Sequence, residues 1–162
     1  MQLRKIVCIS LILVAIAVSA AAPTVKKISP AGVKKQVASY KGKVVFLNYY
    51  ATWCPPCVGE FPDIVKLSNK YRKSGLVVIA VSMDDPNQTN KVISFLKAQK
   101  ATFPAFIKNT DDPQVFIKGF DKKWDGAIPR TYIYNKKGKL YKAVTGSQSY
   151  AEWEALVKPL LK

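Results

Sequence analysis

The stretch Val44-Val45-Phe46-Leu47-Asn48-Tyr49-Tyr50-Ala51-Thr52-Trp53-Cys54-Pro55-Pro56-Cys57 decides the reading of this chain. Its first four residues form a continuous β-favouring run, the pattern of a strand buried on both faces. Ala51 to Cys57 is a turn leading into a helix, because Phe61, Ile64, Val65, Leu67, Ser68 and Tyr71 then recur at helical spacing as far as about Lys73. Ser74-Gly75 stops that helix, and Leu76 to Val81 is a second continuous apolar run. Strand, helix and strand in succession predict two parallel strands joined by a right-handed crossover.

The cysteines fall where the strand ends and the helix begins. The first turn of a helix carries unpaired N–H groups and a partial positive charge. A thiol placed there shifts toward its thiolate, the form that attacks disulfides. With two residues between the cysteines, Cys57 can attack the mixed disulfide that Cys54 makes, closing an intramolecular disulfide and releasing a reduced substrate. Pro55 and Pro56 suit the first helical positions, where no backbone donor is needed, and they stiffen the small ring. A purely structural disulfide would constrain the unfolded chain little across so short a loop. Covalent haem attachment needs a His where Val58 stands.

Working outward, residues 23–28 read as an extended lead-in. Ser29-Pro30 caps and opens a short helix to about Tyr40, with Val33 and Val37 on one face, and Lys41-Gly42-Lys43 is a break. Past the second strand, Asp84-Asp85-Pro86-Asn87 is a loop. A helix from Thr89 to Lys100 buries Val92, Phe95 and Leu96, and Phe103 to Ile107 forms a short extra strand. Residues 109–127, rich in Asp, Lys and Gly, carry no assignment. Arg130 to Tyr134 and Leu140 to Val144 read as an antiparallel hairpin joined through Asn135 to Gly138. Ser147 or Ser149 caps a last helix that buries Tyr150, Trp153, Leu156, Val157 and Leu160. No repeat, linker or second domain boundary interrupts residues 23–162.

The chain opens with Arg4 and Lys5, an uncharged run from Ile6 to Val18, then Ser19 and three alanines before Pro23. This pattern predicts a secretory signal peptide over residues 1–22, with an uncleaved anchor as the alternative, and a periplasmic location. Removing it takes away Cys8 and lowers the formal charge from +16 to +14. Cys54 and Cys57 are then the only cysteines, in an oxidising compartment.

Composition narrows the chemistry. The length of 162 residues suits one domain, and 49% apolar with 11% aromatic residues excludes a disordered chain. There is no histidine, which removes Ser-His-Asp and Cys-His nucleophiles, His-ligated metals and an axial His for haem. Three cysteines cannot complete a four-Cys zinc or iron–sulfur site. Without His or further Cys no metal is expected, and without a nucleotide-binding glycine motif the chain needs an electron donor outside itself; no cofactor is expected. The lysines are spread (Lys26, Lys27, Lys34, Lys35, Lys41, Lys43, then Lys122, Lys123, Lys136, Lys137 and Lys139) and form no single tract. Nucleic acid is not an expected partner, because stacking aromatics are not set among the basic residues. An anionic membrane surface or an acidic partner protein suits the charge better.

Phe46 to Cys57, followed by Glu60-Phe61-Pro62, resembles the thioredoxin superfamily, and within it the exported TlpA/ResA-like thiol–disulfide oxidoreductases. The resemblance implies an α/β, thioredoxin-like fold with a central mixed β-sheet flanked by helices. Pro62 matches the family's helix proline. Gly126-Ala127-Ile128-Pro129 matches its cis-proline loop, which implies a cis Ile128–Pro129 bond opposite the cysteines and a substrate chain paired with the backbone of Ile128. The alternative for Pro129 is an ordinary strand-entry proline. Glu60 matches an acidic residue beside the family's cysteines, where it would tune the thiols and relay a proton; the alternative is a solvated Glu complementing a helix N-terminus. Asn48 stands where thioredoxin keeps a buried Asp and cannot ionise, so acid–base work falls to Glu60 or to water. Arg130, where the family more often has Thr, is either a cation near the substrate groove or surface charge. Trp53 is expected to flank the site or to pack under its turn, Trp124 to line the same groove or to join the core, and Trp153 to be core.

The resemblance implies a thiol–disulfide oxidoreductase with Cys54 as the attacking, more exposed thiol and Cys57 as the buried resolving one; a monomer is expected. Its expected role is reduction of particular protein disulfides, with electrons from a membrane thiol–disulfide donor. An oxidant or isomerase would use the same motif. Two further alternatives stand beside it. A peroxidase shares the fold but wants a lone cysteine after a Pro…Thr approach, which Ala51-Thr52-Trp53 does not supply. A non-catalytic binding module would keep the pair as a redox latch.

Overall fold

The computed structural model describes residues 24–162. The expected signal peptide or anchor, residues 1–22, lies outside the described residues. Among the described residues, no helix is long and apolar enough to cross a membrane.

The predicted crossover is present. Strand β2 (Val44–Tyr50) leads into α2 (Pro55–Tyr71), a short 3-10 turn (Arg72–Ser74) and β3 (Leu76–Ser82), which lies parallel to β2. All seven residues of β2 are buried because it sits between β3 and β5 (Arg130–Tyr134) inside the sheet. The strand runs three residues beyond Leu47; Asn48 does not end it, because its side-chain amide finds acceptors on both sides.

The extended lead-in forms β1 (Val25–Ile28), an edge strand parallel to β4 (Ala105–Lys108). The extra strand starts at Ala105 rather than Phe103. Pro104 has no donor of its own, and its carbonyl instead accepts from Ala80 N at 3.0 Å. With β6 (Leu140–Thr145) the order is β1-β4-β3-β2-β5-β6, parallel across the first four strands and antiparallel at β5 and β6. The sheet is mixed and flanked by helices, as expected.

Side chains alternate about β2. Val45, Leu47 and Tyr49 join one apolar cluster and Val44 and Phe46 the other. On the first side α1 (Pro30–Ser39) packs against α4 (Pro113–Phe120); on the second α2 packs against α5 (Tyr150–Val157). Trp153 is core, edge-on to Phe46 at 4.9 Å between ring centres. Helix α3 (Thr89–Ala98) stops two residues short of Lys100, whose φ of 55° is left-handed.

Helix α4 lies in the stretch left unassigned from sequence. Asp112 caps it, accepting from Gln114 N and Val115 N, Pro113 takes the first position, and Phe116, Ile117 and Phe120 are buried. Ser149 rather than Ser147 caps α5, in a capping box with Glu152. Leu156 and Leu160 are half-buried, at the edge of the core.

Candidate active site

The turn before the cysteines is held from beneath. β2 and β3 pair Tyr50 with Ser82, and continuing that register sets Thr52 opposite Asp84. The fully buried Asp84 carboxylate accepts from Thr52 N at 2.9 Å, from the Thr52 hydroxyl and from the Ser82 hydroxyl at 2.6 Å. Cys54 N closes the turn onto Ala51 O at 3.2 Å. In the sequence Asp84 reads as a loop residue; the signal it carries is an acid just beyond a strand's C-terminal end, where the sites of α/β sheets gather.

Cys54 is the N-cap of α2, with Pro55 and Pro56 at the first two helical positions. Prolines have no N–H, so Cys57 supplies the first amide that can reach the cap, and it donates to Cys54 Sγ at 3.3 Å. The two cysteines are joined as a disulfide, with Cα atoms 5.3 Å apart. Cys54 is 4% exposed and Cys57 is fully buried. Trp53 is 60% exposed and therefore flanks the site instead of packing under the turn.

The loop containing Pro129 lies opposite. The Ile128–Pro129 bond is cis, and the carbonyl oxygen of Ile128 lies 3.8 Å from Cys54 Sγ. Trp124 fixes this loop from the core side: its indole N–H donates to Ala127 O at 2.9 Å, and its ring packs on Tyr49 at 4.8 Å. It is core. Arg130 lies over the Tyr132 ring at 4.8 Å and donates to the Thr145 hydroxyl, so its cation is tied to the β5–β6 hairpin.

Glu60 follows Cys57 by three residues and so shares its face of α2. It is buried, not solvated. Its Oε1 accepts from Asn48 Nδ2 at 3.2 Å, while the same amide donates to Thr131 Oγ1 at 3.0 Å. Its Oε2 accepts from Gln148 N at 3.1 Å. Burial raises the Glu60 carboxyl to about 7. The Gln148 and Asn48 donors oppose that rise, helped by the Trp153 indole N–H from outside hydrogen-bond geometry, and Asp63 adds to it. A cleft of about 310 Å³, lined by Pro56, Gly59, Asp63 and Ser147 to Ser149, connects Glu60 with solvent. Pro62, the expected site-supporting proline, lies exposed inside α2.

A cysteine pair capping the helix after the central strand, faced by a cis-proline loop, defines a thioredoxin-fold dithiol–disulfide protein. The chain belongs to the AhpC/TSA family, whose sequence profile matches residues 18–143. It is 33% identical over 135 residues to the thiol-disulfide oxidoreductase ResA of Geobacillus thermodenitrificans, a match covering 83% of this chain and 73% of that one. It resembles the crystal structure of a thioredoxin-family thiol:disulfide interchange protein from Chlorobium tepidum, with TM-score 0.66 and 26% identity over 91% of this chain and all of that one. A secreted disulfide oxidoreductase of Mycobacterium tuberculosis shares the fold at 21% identity, with TM-score 0.61 over 76% of this chain and 86% of that one. The protein is a thiol–disulfide oxidoreductase.

Proposed function

We propose that this protein is an exported, monomeric reductant of disulfides in other proteins. The Cys54 thiolate attacks one sulfur of a client disulfide; a new S–S bond forms, and the client's other sulfur leaves as a thiolate. Cys57, once deprotonated, attacks Cys54 Sγ. The Cys54–Cys57 disulfide closes, the second client thiolate leaves, and two electrons have passed to the client. A membrane thiol–disulfide donor returns two electrons to the pair. Glu60 holds the proton that Cys57 gives up, and Asn48 fixes the Glu60 carboxyl. Ile128 offers its backbone to the client chain, with Pro129 setting the loop's course and Trp53 forming the rim. Pro55 and Pro56 shape the helix start.

The observation that carries the reducing direction is the setting of the Cys54 sulfur. It faces one amide donor, Cys57 N, and one carbonyl oxygen, that of Ile128. Two prolines withhold the donors of the first helical positions, and the chain has no histidine. A thiolate stabilised this modestly leaves the disulfide form favoured, as in thioredoxin, whereas a strongly stabilised thiolate makes an oxidant. The signal-like N-terminus and the secreted relative support export, and the formal charge of +16 supports work beside an anionic membrane surface. Equilibration with a thiol buffer of known potential tests the direction. A potential near about −270 mV is expected, and one near about −120 mV would reverse it.

A further inference from the structure

Beside the disulfide lies a groove of about 310 Å³ in which the mechanism above uses only the rim. Its apolar wall is made by Trp53, Met83, Ile117 and Ile128. It opens at the C-terminal ends of β3 and β4, where open α/β sheets bind their ligands. Gly126 keeps it open: its φ is +98°, and a Cβ there would meet Ile117 Cδ1 at 3.2 Å. Val115, one residue beyond the lining Gln114, is a large apolar side chain left 60% exposed.

The charge around this groove runs against the charge of the molecule. The chain has 26 basic and 10 acidic residues. Two of the acids, Asp85 and Asp111, line the groove with exposed side chains, and Asp84, Asp112 and Asp125 each neighbour a lining residue. By the same criterion the basic residues are Lys108 and Lys118, and both are tied to main-chain carbonyls. The buried Lys108 ammonium donates to Thr110 O and Asp111 O, and Lys118 donates to Trp124 O.

We propose that this groove selects the client: it takes an apolar side chain next to the client's disulfide cysteine, together with a Lys or Arg that meets Asp85 and Asp111. The inference rests on the reducing function proposed above and adds the chemistry of the segment that docks. At about 310 Å³ the groove has the volume for a Leu or Phe side chain. A basic residue beside it finds two exposed carboxylates, Asp85 and Asp111.

The test uses two short synthetic peptides, each a disulfide-linked homodimer with Leu on one side of the cysteine and either Lys or Glu on the other. The readout is the ratio of the rates at which they oxidise the reduced protein. A ratio taken within one protein is insensitive to partial unfolding. The Lys peptide is expected to react about fivefold faster at low salt, with the preference shrinking at high salt. The double variant Asp85→Asn, Asp111→Asn is expected to bring the ratio to about one, and Gln114→Lys, which adds a cation at the groove mouth, to lower it. Equal rates, or a faster Glu peptide as the overall charge of +16 would dictate, overturn the proposal while leaving the reducing function standing. If neither peptide oxidises the protein, the reducing function and this proposal fall together.

Discussion

The amide of Cys57 donates to the sulfur of Cys54 at 3.3 Å, and it is the first amide of α2 able to do so. Pro55 and Pro56 occupy the two positions before it. The sulfur is therefore held by one hydrogen bond at the positive end of a helix, and its position depends on the turn that delivers it.

That turn rests on Asp84. Its carboxylate takes the backbone N–H and the hydroxyl of Thr52 and the hydroxyl of Ser82 in a fully buried setting. Removing a buried acceptor leaves its donors unpaired. Asp84→Ala is expected to lower the unfolding free energy by about 3 kcal/mol in urea titrations. Asp84→Asn, which keeps one acceptor for Thr52 N, should lose less. An unchanged midpoint for the alanine variant would contradict this role.

Glu60 makes stability depend on pH. Burial raises its folded-state value to about 7, above the unfolded value of about 4.3. The folded protein binds this proton more tightly than the unfolded chain does. The stabilisation is complete below about pH 4 and is lost as pH rises through about 7. Allowing for solvent in the adjoining cleft, the loss is on the order of 2–3 kcal/mol. Glu60→Gln removes the titration, so its stability relative to the natural protein should rise between pH 4 and pH 8 in denaturant titrations of the oxidised forms. A difference that stays flat across that range would show that Glu60 does not titrate there.

Asn48 holds the Glu60 midpoint down. Its amide donates to Oε1, which favours the ionised carboxyl. Asn48→Ala is expected to move the Glu60 midpoint above its natural value, as followed by carboxyl carbon NMR. A midpoint that stays put or falls would mean that the Asn48 bond does not govern the carboxyl.

Pro62 breaks the hydrogen-bond ladder inside α2 while its own ring is exposed. Pro62→Ala restores a donor toward the carbonyl of Val58 and removes no buried contact. The variant is expected to be more stable by about 1–2 kcal/mol, the restored helix bond outweighing the gain in unfolded-chain entropy. A loss of stability on thermal melting would show that the proline fixes a bend the site needs.

Much of the fold could be read from local pattern. Val44 to Leu47 and Leu76 to Val81 are apolar runs long enough to be core strands, and the Cys54-Pro55-Pro56 cap marks a helix start through backbone chemistry alone. Helix α4 is hard to read from the sequence because it spans only Pro113 to Phe120, carries Gly119 in its last turn and lies between loops rich in Asp and Lys. Asp84 is hard to read because its partner is 32 residues away; only the pairing of β2 with β3 brings the two together. The burial of Glu60 depends likewise on Gln148 arriving from the far end of the chain. The sequence does not decide between groove and core for Trp124, because a tryptophan's placement follows from tertiary packing, here against Tyr49.

The most direct test of the central claim is the pH dependence of alkylation of the reduced protein at Cys54, read by mass. One helix-end amide opposed by one carbonyl should give a thiolate midpoint clearly below the value of about 8.5 for free cysteine. A midpoint at or above about 8.5 would contradict the account, because the helix end would then do nothing for the sulfur that has to attack.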